Sequence, residues 1–461
     1  MFNLRVPLPE RDEVFLMNTL TDGQLIVSTD IASLLDRLSA EPDSLEPERL
    51  NGDEREALVA LTEHGFIVQS READRQNLDR FFTDFREDTE QMRVTVLTTL
   101  QCNFACDYCF QGDHGDYNKF ADKMSLDTCR QVVSWIEERL TQLHPKRLTL
   151  TFFGGEPLLN VPVMYEMAER LKVAADDAGV ELSLGIITNG LLLSEEIVDR
   201  LIPYGLSYVK VTLDGDRDTH NRMRPLRGGQ GTFDRIIQNV RKVAGKVRIV
   251  VGGNFDASSV DSYPALLDFL KEQDFADKLV KVAFKPVVRE KPKNFIPLTV
   301  ISDKPLNGTC MTAAGSGGSS ICDTCQFVDD QMAHLREETK RRGFPTIDGV
   351  HMGPCEIHKR HAYTIGPNGS LYACPGFTGE PTMSVGHIDD RKESWRMTAA
   401  ERFEHLAAWH KCDDCAFIPV CAGGCSVASH TELGDMNMPT CHKRSFESAL
   451  NSLANEAASY S

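Results

Sequence analysis

From residue 93 to about 290 the chain alternates short apolar runs with amphipathic ones, and this alternation constrains the fold more than any other feature of its 461 residues. VTVLTT, RLTLTFF, SLGIIT, YVKVTL, VRIVVGG and VKVAFKPVV are rich in β-branched and aromatic residues, as strands buried on both faces require. Between them SLDTCRQVVSWIEERLTQL, VMYEMAERLKVAADDAG, SEEIVDRLI, TFDRIIQNVRKVA and YPALLDFLKEQ space their apolar residues as helices do. Ser125 is placed to cap the first of these helices. About six βα units predict an α/β fold with a parallel sheet, either doubly wound or closed into an incomplete barrel.

The flanking regions differ in character. Residues 1–88 read as a separate winged-helix-like unit: VFLMNTLTDGQLIVST as a hairpin around Thr-Asp-Gly, IASLLDRL and DEREALVALTEHG as helices, and FIVQS as a closing strand. The charged stretch READRQNLDRFFTDFREDTEQ is expected to link this unit to residues 93–290. Residues 291–345 form a bridging region with a flexible AAGSGGSS insert, and 346–461 are rich in cysteines and turns before a final helical segment, KRSFESALNSLANEAA.

Composition narrows the compartment and the partners. No run of about 18 apolar residues is present, and MFNLRVPLPERDEVF is too acidic and too broken by proline for a signal peptide. The expectation is a cytoplasmic protein with no membrane partner. A net charge of −18 counts against nucleic acid, whose phosphates need Lys and Arg, and leans towards a cationic peptide or protein partner.

Fourteen cysteines in a reducing compartment point to metal or redox chemistry. Only Cys129 stands apart, inside a helical apolar pattern, and is expected to be core packing. Cys102, Cys106 and Cys109 follow the first strand directly, in CNFACDYCF. Thiolates suit iron–sulfur clusters, zinc or copper. His114 could complete a zinc site, but a structural zinc wants four ligands and His114 lies in a Gly/Asp loop. Three thiolates on a 4Fe–4S cluster would leave one iron open for chemistry. The next strands end in Gly154-Gly155-Glu156-Pro157, in Thr188-Asn189-Gly190 and in Thr212-Leu213-Asp214-Gly215. Parallel α/β folds build their sites at such strand ends. Glycines there let backbone approach a ligand, and Glu156 or Asp214 can bind an amine or ribose hydroxyls.

With an aromatic, Tyr108, before the last cysteine, C-x3-C-x2-C followed by GGEP resembles the radical S-adenosylmethionine (SAM) superfamily. The resemblance covers roughly 93–290 and implies a partial (β/α)6 TIM-type barrel. It implies that Cys102, Cys106 and Cys109 hold a 4Fe–4S cluster whose open iron chelates the methionine amino and carboxylate groups. One electron then cleaves the cofactor, and the 5′-deoxyadenosyl radical abstracts a substrate hydrogen. Cofactor contacts are expected from Tyr108, Gly154, Gly155, Glu156, Pro157, Thr188, Asn189, Thr212, Asp214 and Arg224.

The C-terminal array reads Cys355, Gly369-x4-Cys374, Cys412-x2-Cys415-x5-Cys421-x3-Cys425 and Cys441. Seven thiolates exceed one tetrahedral site, so two structural zincs would be the plain reading. The spacing resembles the SPASM domain of peptide- and protein-modifying members of the superfamily. By that resemblance Cys412, Cys415, Cys421 and Cys441 bind one auxiliary cluster and Cys355, Cys374 and Cys425 the other, giving three 4Fe–4S clusters. The latter set lacks a fourth ligand, for which His361, Cys310, Cys322, Cys325 or a substrate thiolate are candidates. Cys322-x2-Cys325 could equally be a redox pair or a zinc clip with Cys310.

The loop DGDRDTHNRMRPLRGGQGTF is similar to one in SPASM-type peptide modifiers, including anaerobic sulfatase-maturating enzymes. Arg222, Arg224 and Arg227 could there hold the cofactor carboxylate or acidic peptide groups, or form surface ion pairs. Residues 1–88 could bind a leader peptide by strand addition. The expectation is a peptide maturase forming a thioether or carbon–carbon cross-link, fed by a flavodoxin- or ferredoxin-type donor. Its rivals are a maturase installing a formylglycine or quinone precursor in a protein, and a non-catalytic iron–sulfur or zinc scaffold. The sequence assigns no general base.

Overall fold

The computed structural model describes residues 1–40, 50–109, 121–288, 323–346, 350, 353–390 and 405–460. Three antiparallel strands open the chain, β1 (Asn3–Leu8), β2 (Glu13–Asn18) and β3 (Gly23–Ser28), in that order across the sheet. The expected hairpin is β2–β3, with Asp22 left-handed at φ 58° in its turn. Helices α1 (Thr29–Ala40), α2 (Gly52–Glu63) and α3 (Arg71–Glu87) follow.

One expectation is corrected here. FIVQS is not a strand. Gly65, at φ 79°, ends the preceding helical segment, and Ser70 caps the next one by accepting from Ala73 N–H. The third strand is β1, which pairs with β2 along its full length. The stretch expected to link the N-terminal unit to the central region runs there as α3, in which Leu78 and Phe82, four residues apart, bury one stripe of an otherwise charged helix.

All six expected strands of the central region form: β4 (Gln91–Thr99), β5 (Arg147–Gly154), β6 (Glu181–Thr188), β7 (Leu206–Thr212), β8 (Arg248–Phe255) and β9 (Leu279–Pro286). They are parallel and adjacent in chain order, as right-handed βα crossovers produce. The helices are α4 (Leu126–Leu143), α5 (Val161–Ala178), α6 (Glu195–Leu201), α7 (Arg217–Met223), α8 (Phe233–Val243) and α9 (Tyr263–Lys271). Ser125 caps α4 by accepting from Thr128 N–H at 3.0 Å. One face of the sheet buries Val96, Leu150, Phe152, Ile186, Val209 and Val251 in a single core with helix residues such as Ile136, Met164, Ile236 and Leu267. Cys129 is fully buried in that core. The opposite face carries Thr95, Ile187, Lys210 and Asn254, which stay partly exposed and line the lumen.

Beyond α10 (Asp323–Arg341), the strands β10 (Ala362–Ile365), β11 (Ser370–Tyr372) and β12 (Gly386–His387) extend the same sheet. Its order is β12-β11-β10-β4-β5-β6-β7-β8-β9, with β10 parallel to β4. Helices α11 (Ile418–Cys421), α12 (Ser426–Leu433) and α13 (Lys443–Tyr460) complete the chain. The N-terminal sheet packs on α13 through Val6, Leu8, Phe15 and Met17 against Ala449, Leu450 and Ala454. No helix among the described residues is long and apolar enough to cross a membrane.

Candidate active site

The cysteine loop leaves β4 and is stitched to its neighbours by main chain. Gly155 N–H donates to Thr99 O at 2.9 Å and Glu156 N–H to Gln101 O at 2.8 Å. On the other side Ala105 N–H donates to Pro225 O, and Arg227 reaches Cys102 O from its Nε. The two glycines serve this contact. A Cβ on Gly154 would stand 2.1 Å from Thr99 O, and one on Gly155 2.4 Å from Gln101 O. Both glycines thus let the backbone at the end of β5 lie directly against the end of β4 and the cysteine loop. Arg227 is a tether of the loop, and Arg222 donates to Ser258 O.

Glu156 is fully buried. Its carboxylate accepts from Leu158 N–H, Thr188 Oγ1 and Asn189 N–H at 3.0, 2.7 and 2.8 Å. Burial raises its pKa, and these three donors oppose the rise. Asn189 in turn donates to Asn103 Oδ1 at 2.7 Å, inside the cysteine loop. Pro157 opens the short helical turn that follows, where the missing N–H costs nothing.

A second polar cluster lies at the ends of β7 and β8. Asp214, also fully buried, accepts from the Tyr108 hydroxyl, from Asn254 N–H at 2.7 Å and from Arg224 Nη1 at 3.4 Å. Arg224 Nη1 also donates to Tyr108 Oη at 2.5 Å, while its Nε is buried with no partner among the described residues. Behind them His220 Nδ1 accepts from Asp214 N–H at 3.1 Å, and Nε2 faces Thr232 Oγ1 at 3.1 Å. Burial, then the Arg224 charge, holds the His220 pKa well below its usual value. The ring is therefore neutral with its proton on Nε2, donating to Thr232, which donates to Arg224 O. Thr212 makes no side-chain hydrogen bond among the described residues.

Burial foremost, with the Glu156 charge next, pushes the Cys102 thiol up to about 12. Burial also pushes Cys106 up to about 11 against the pull of Arg224. Such thiols ionise near neutral pH only when a metal takes the proton's place. All three cysteines are free of disulfides.

The C-terminal thiols fall into two neighbour groups. Cys374 feels the charges of Cys355 and Cys425, and Cys421 those of Cys412, Cys441 and Cys415. Burial pushes Cys374 and Cys421 up to about 12 and Cys412 to about 11. Among the described residues no three His, Cys, Asp or Glu side chains converge on one metal-binding point, so the thiols are neighbours and not a finished cage. His361 is engaged elsewhere. Its Nδ1 meets Tyr363 Oη at 3.2 Å, and the charges acting on it belong to Glu87, Arg360, Arg139 and Asp88. Cys310, Cys322, His114 and the Cys325 side chain lie outside the described residues.

Sequence reasoning missed Asn254, His220 and Asn103. Asn254 had a usable signal, since it follows VRIVVGG at the end of the fifth strand. His220 had none, because its role depends on the fold of the loop around it.

Residues 96–256 match the profile of the Radical SAM superfamily. The chain carries a radical SAM domain. That domain runs from β4 to β8 and contains the cysteine loop, Glu156, Asn189, Asp214, Arg224 and Asn254. Among curated proteins, the radical SAM cyclopropyl synthase TigE of Paramaledivibacter caminithermalis is 24% identical over 37% of this chain and 38% of its own. The chain thus spans well under half of that relative. A cysteine-type anaerobic sulfatase-maturating enzyme of Clostridium novyi is 22% identical over 70% of this chain and 84% of its own. The solved structure of native anSMEcpe with bound AdoMet superposes with a TM-score of 0.60 at 17% identity, covering 79% of this chain and 99% of that one. At that identity the likeness is one of fold.

Proposed function

We propose that this protein is a radical SAM maturase that forms an oxidative cross-link, thioether or carbon–carbon, in a ribosomally made peptide. The observation that carries the reading is the seat of the cysteine loop. Its thiols stand against Glu156, Asn189 and the Tyr108–Asp214–Arg224 cluster at consecutive strand ends, inside the radical SAM domain. When bound there, a 4Fe–4S cluster and S-adenosylmethionine supply a 5′-deoxyadenosyl radical for hydrogen abstraction.

The residues fit that cargo. Cys102, Cys106 and Cys109 would supply three soft donors to such a cluster, which would leave its fourth iron open to the methionine amino and carboxylate groups. Arg224 holds an unused buried donor, Nε, suited to a carboxylate. Gly154, Gly155, Pro157, Thr188, Asn189, Thr212 and Asp214 shape the remaining wall, and the buried carboxylate of Glu156 holds the end of β6, from which Asn189 reaches the cysteine loop. In the C-terminal part, which we read as a SPASM domain, Cys412, Cys415, Cys421 and Cys441 would hold one auxiliary cluster. Cys355, Cys374 and Cys425 would hold the other. The two neighbour groups of thiols support this division. A flavodoxin- or ferredoxin-type donor supplies the electron.

The peptide would enter through the N-terminal unit. Its sheet has three strands, so β1 and β3 each present one edge with no partner strand among the described residues. This unit docks on the C-terminal thiols: Thr19 Oγ1 donates to Ala416 O, and Arg71 pairs with Asp414 at 2.7 Å. A second reading, maturation of a residue in a larger enzyme, is favoured by the long match to the sulfatase-maturating enzyme. Incubating the reduced, reconstituted protein with a short cysteine-bearing peptide encoded beside its gene tests the choice. Loss of a pair of hydrogens from the peptide by mass spectrometry supports cross-linking. An unchanged peptide alongside an oxidised sulfatase-type substrate supports the second reading.

A further inference from the structure

The lumen carries a group of lysines that neither the cluster loop nor the strand-end network uses. Lys210 of β7 is in register with Val250 of β8, and Val250 with Lys281 of β9. Residues paired in register share a face, as do alternate residues along one strand. Lys210, Lys281, Ala283 and Lys285 therefore share the lumen face. Lys210 lies across Gly252, where an added Cβ would stand 2.5 Å from its Cε and 3.3 Å from its Nζ. Gly252 pairs with Ala283, and Ala283 sits between Lys281 and Lys285. Two small residues form a shelf over which the Lys210 stem reaches the other lysines.

Burial, then the like charges of Lys285 and Lys281, pushes the Lys210 pKa down to about 8. Neither Lys210 nor Lys285 makes an ion pair among the described residues. Gathering like charges in a partly buried lumen is unfavourable unless a negative group joins them. The position is also telling. Lys285 is in register with Asn254, which bonds Tyr108 and Asp214, and the Lys285 charge acts on Cys374. Lys285 thus neighbours both the strand-end cluster and Cys374.

We propose that Lys210 and Lys285 bind a carboxylate of the peptide substrate, so that the segment entering the lumen is acidic. The carboxylate belongs to an Asp or Glu side chain or to the peptide's C-terminus. This rests on the maturase reading for the peptide. It also separates the lumen from the chain's overall charge of −18, because a local cationic wall acts on what enters the barrel.

The test uses the full, reconstituted chain with S-adenosylmethionine present and saturation-transfer NMR at neutral pH. The probes are acetyl-Gly-Glu-Gly-amide, acetyl-Gly-Gln-Gly-amide, and acetyl-Gly-Gln-Gly with a free C-terminus. At least one carboxylate peptide is expected to bind about tenfold tighter than the neutral one, and which one does identifies the source. The preference should vanish in Lys210→Met/Lys285→Met, persist in Lys210→Arg/Lys285→Arg, and weaken in the single exposed-site variant Lys285→Met. Equal binding of all three peptides by the unaltered protein overturns the proposal, as does a preference that survives both Met variants. Release of 5′-deoxyadenosine in the same samples keeps the two readings apart. Cofactor cleavage without an acid preference removes only the lysine site, whereas an acid preference without cleavage supports it and removes the radical reading.

Discussion

The Phe82 ring stacks on Trp409 with centroids 3.9 Å apart and planes 11° from parallel. Phe82 belongs to α3, and Trp409 lies three residues before Cys412. One aromatic pair therefore ties the N-terminal unit to a thiol group that would hold an auxiliary cluster. Cutting Phe82 to Ala removes a large buried ring and should destabilise the protein by about 3–5 kcal/mol. Denaturant unfolding measures this, and Cys412 and Cys415 should then react faster with a thiol reagent in metal-free protein. A change within about 0.5 kcal/mol would mean that the pair does not join the units.

His358 sits against both rings, at 6.5 Å from Phe82 and 5.4 Å from Trp409, and neither of its nitrogens has a partner among the described residues. Burial, helped by the Arg86 charge, pushes its pKa from 6.5 down to about 4. Between those values the unfolded chain takes up a proton that the folded chain refuses. Its contribution is thus complete above about pH 6.5 and is lost towards about pH 4, on the order of 3 kcal/mol. His358→Phe should flatten that limb of a pH–stability curve and be at least as stable at pH 7. Loss of iron from the variant would instead make His358 a ligand.

Gly155→Ala forces a methyl against Gln101 O, at 2.4 Å. The cysteine loop must shift, and the expected result is selective loss of the cluster in the barrel. Iron should drop by about a third of a three-cluster total, with the C-terminal clusters retained. Full iron content in this variant would show that the glycine contact does not set the loop.

Arg224 and Asp214 form a buried pair with Tyr108. Arg224→Gln strands the Asp214 carboxylate and should cost about 3–5 kcal/mol, with S-adenosylmethionine binding weakened as well. Arg224→Lys should not restore binding, since one ammonium cannot serve Tyr108, Asp214 and a third acceptor together. Equilibrium dialysis and thermal melts of both variants check this. Equal affinity in the two variants and the parent would remove Arg224 from the cofactor site.

Much of this was legible from residues alone, for local reasons. The β-branched runs marked β4 to β9, and ligand-type residues at their ends marked Glu156, Asn189 and Asp214. What was missed depends on contacts distant in sequence. β1 is short and holds Pro7, and α3 hides two buried apolar residues in a charged run. AYTI gives no hint that β10 lies parallel to β4. The Gly154 and Gly155 contacts and the shelf beneath Lys210 exist only after neighbouring strands are in register.

The most direct measurement is anaerobic. The reconstituted protein and a variant with Cys102, Cys106 and Cys109 all changed to Ala are analysed for iron and sulfide, then given reductant and S-adenosylmethionine. About twelve irons, falling to about eight in the variant together with loss of 5′-deoxyadenosine, is the predicted result. Zinc in place of iron, or no cofactor cleavage by the fully loaded protein, would contradict the radical mechanism.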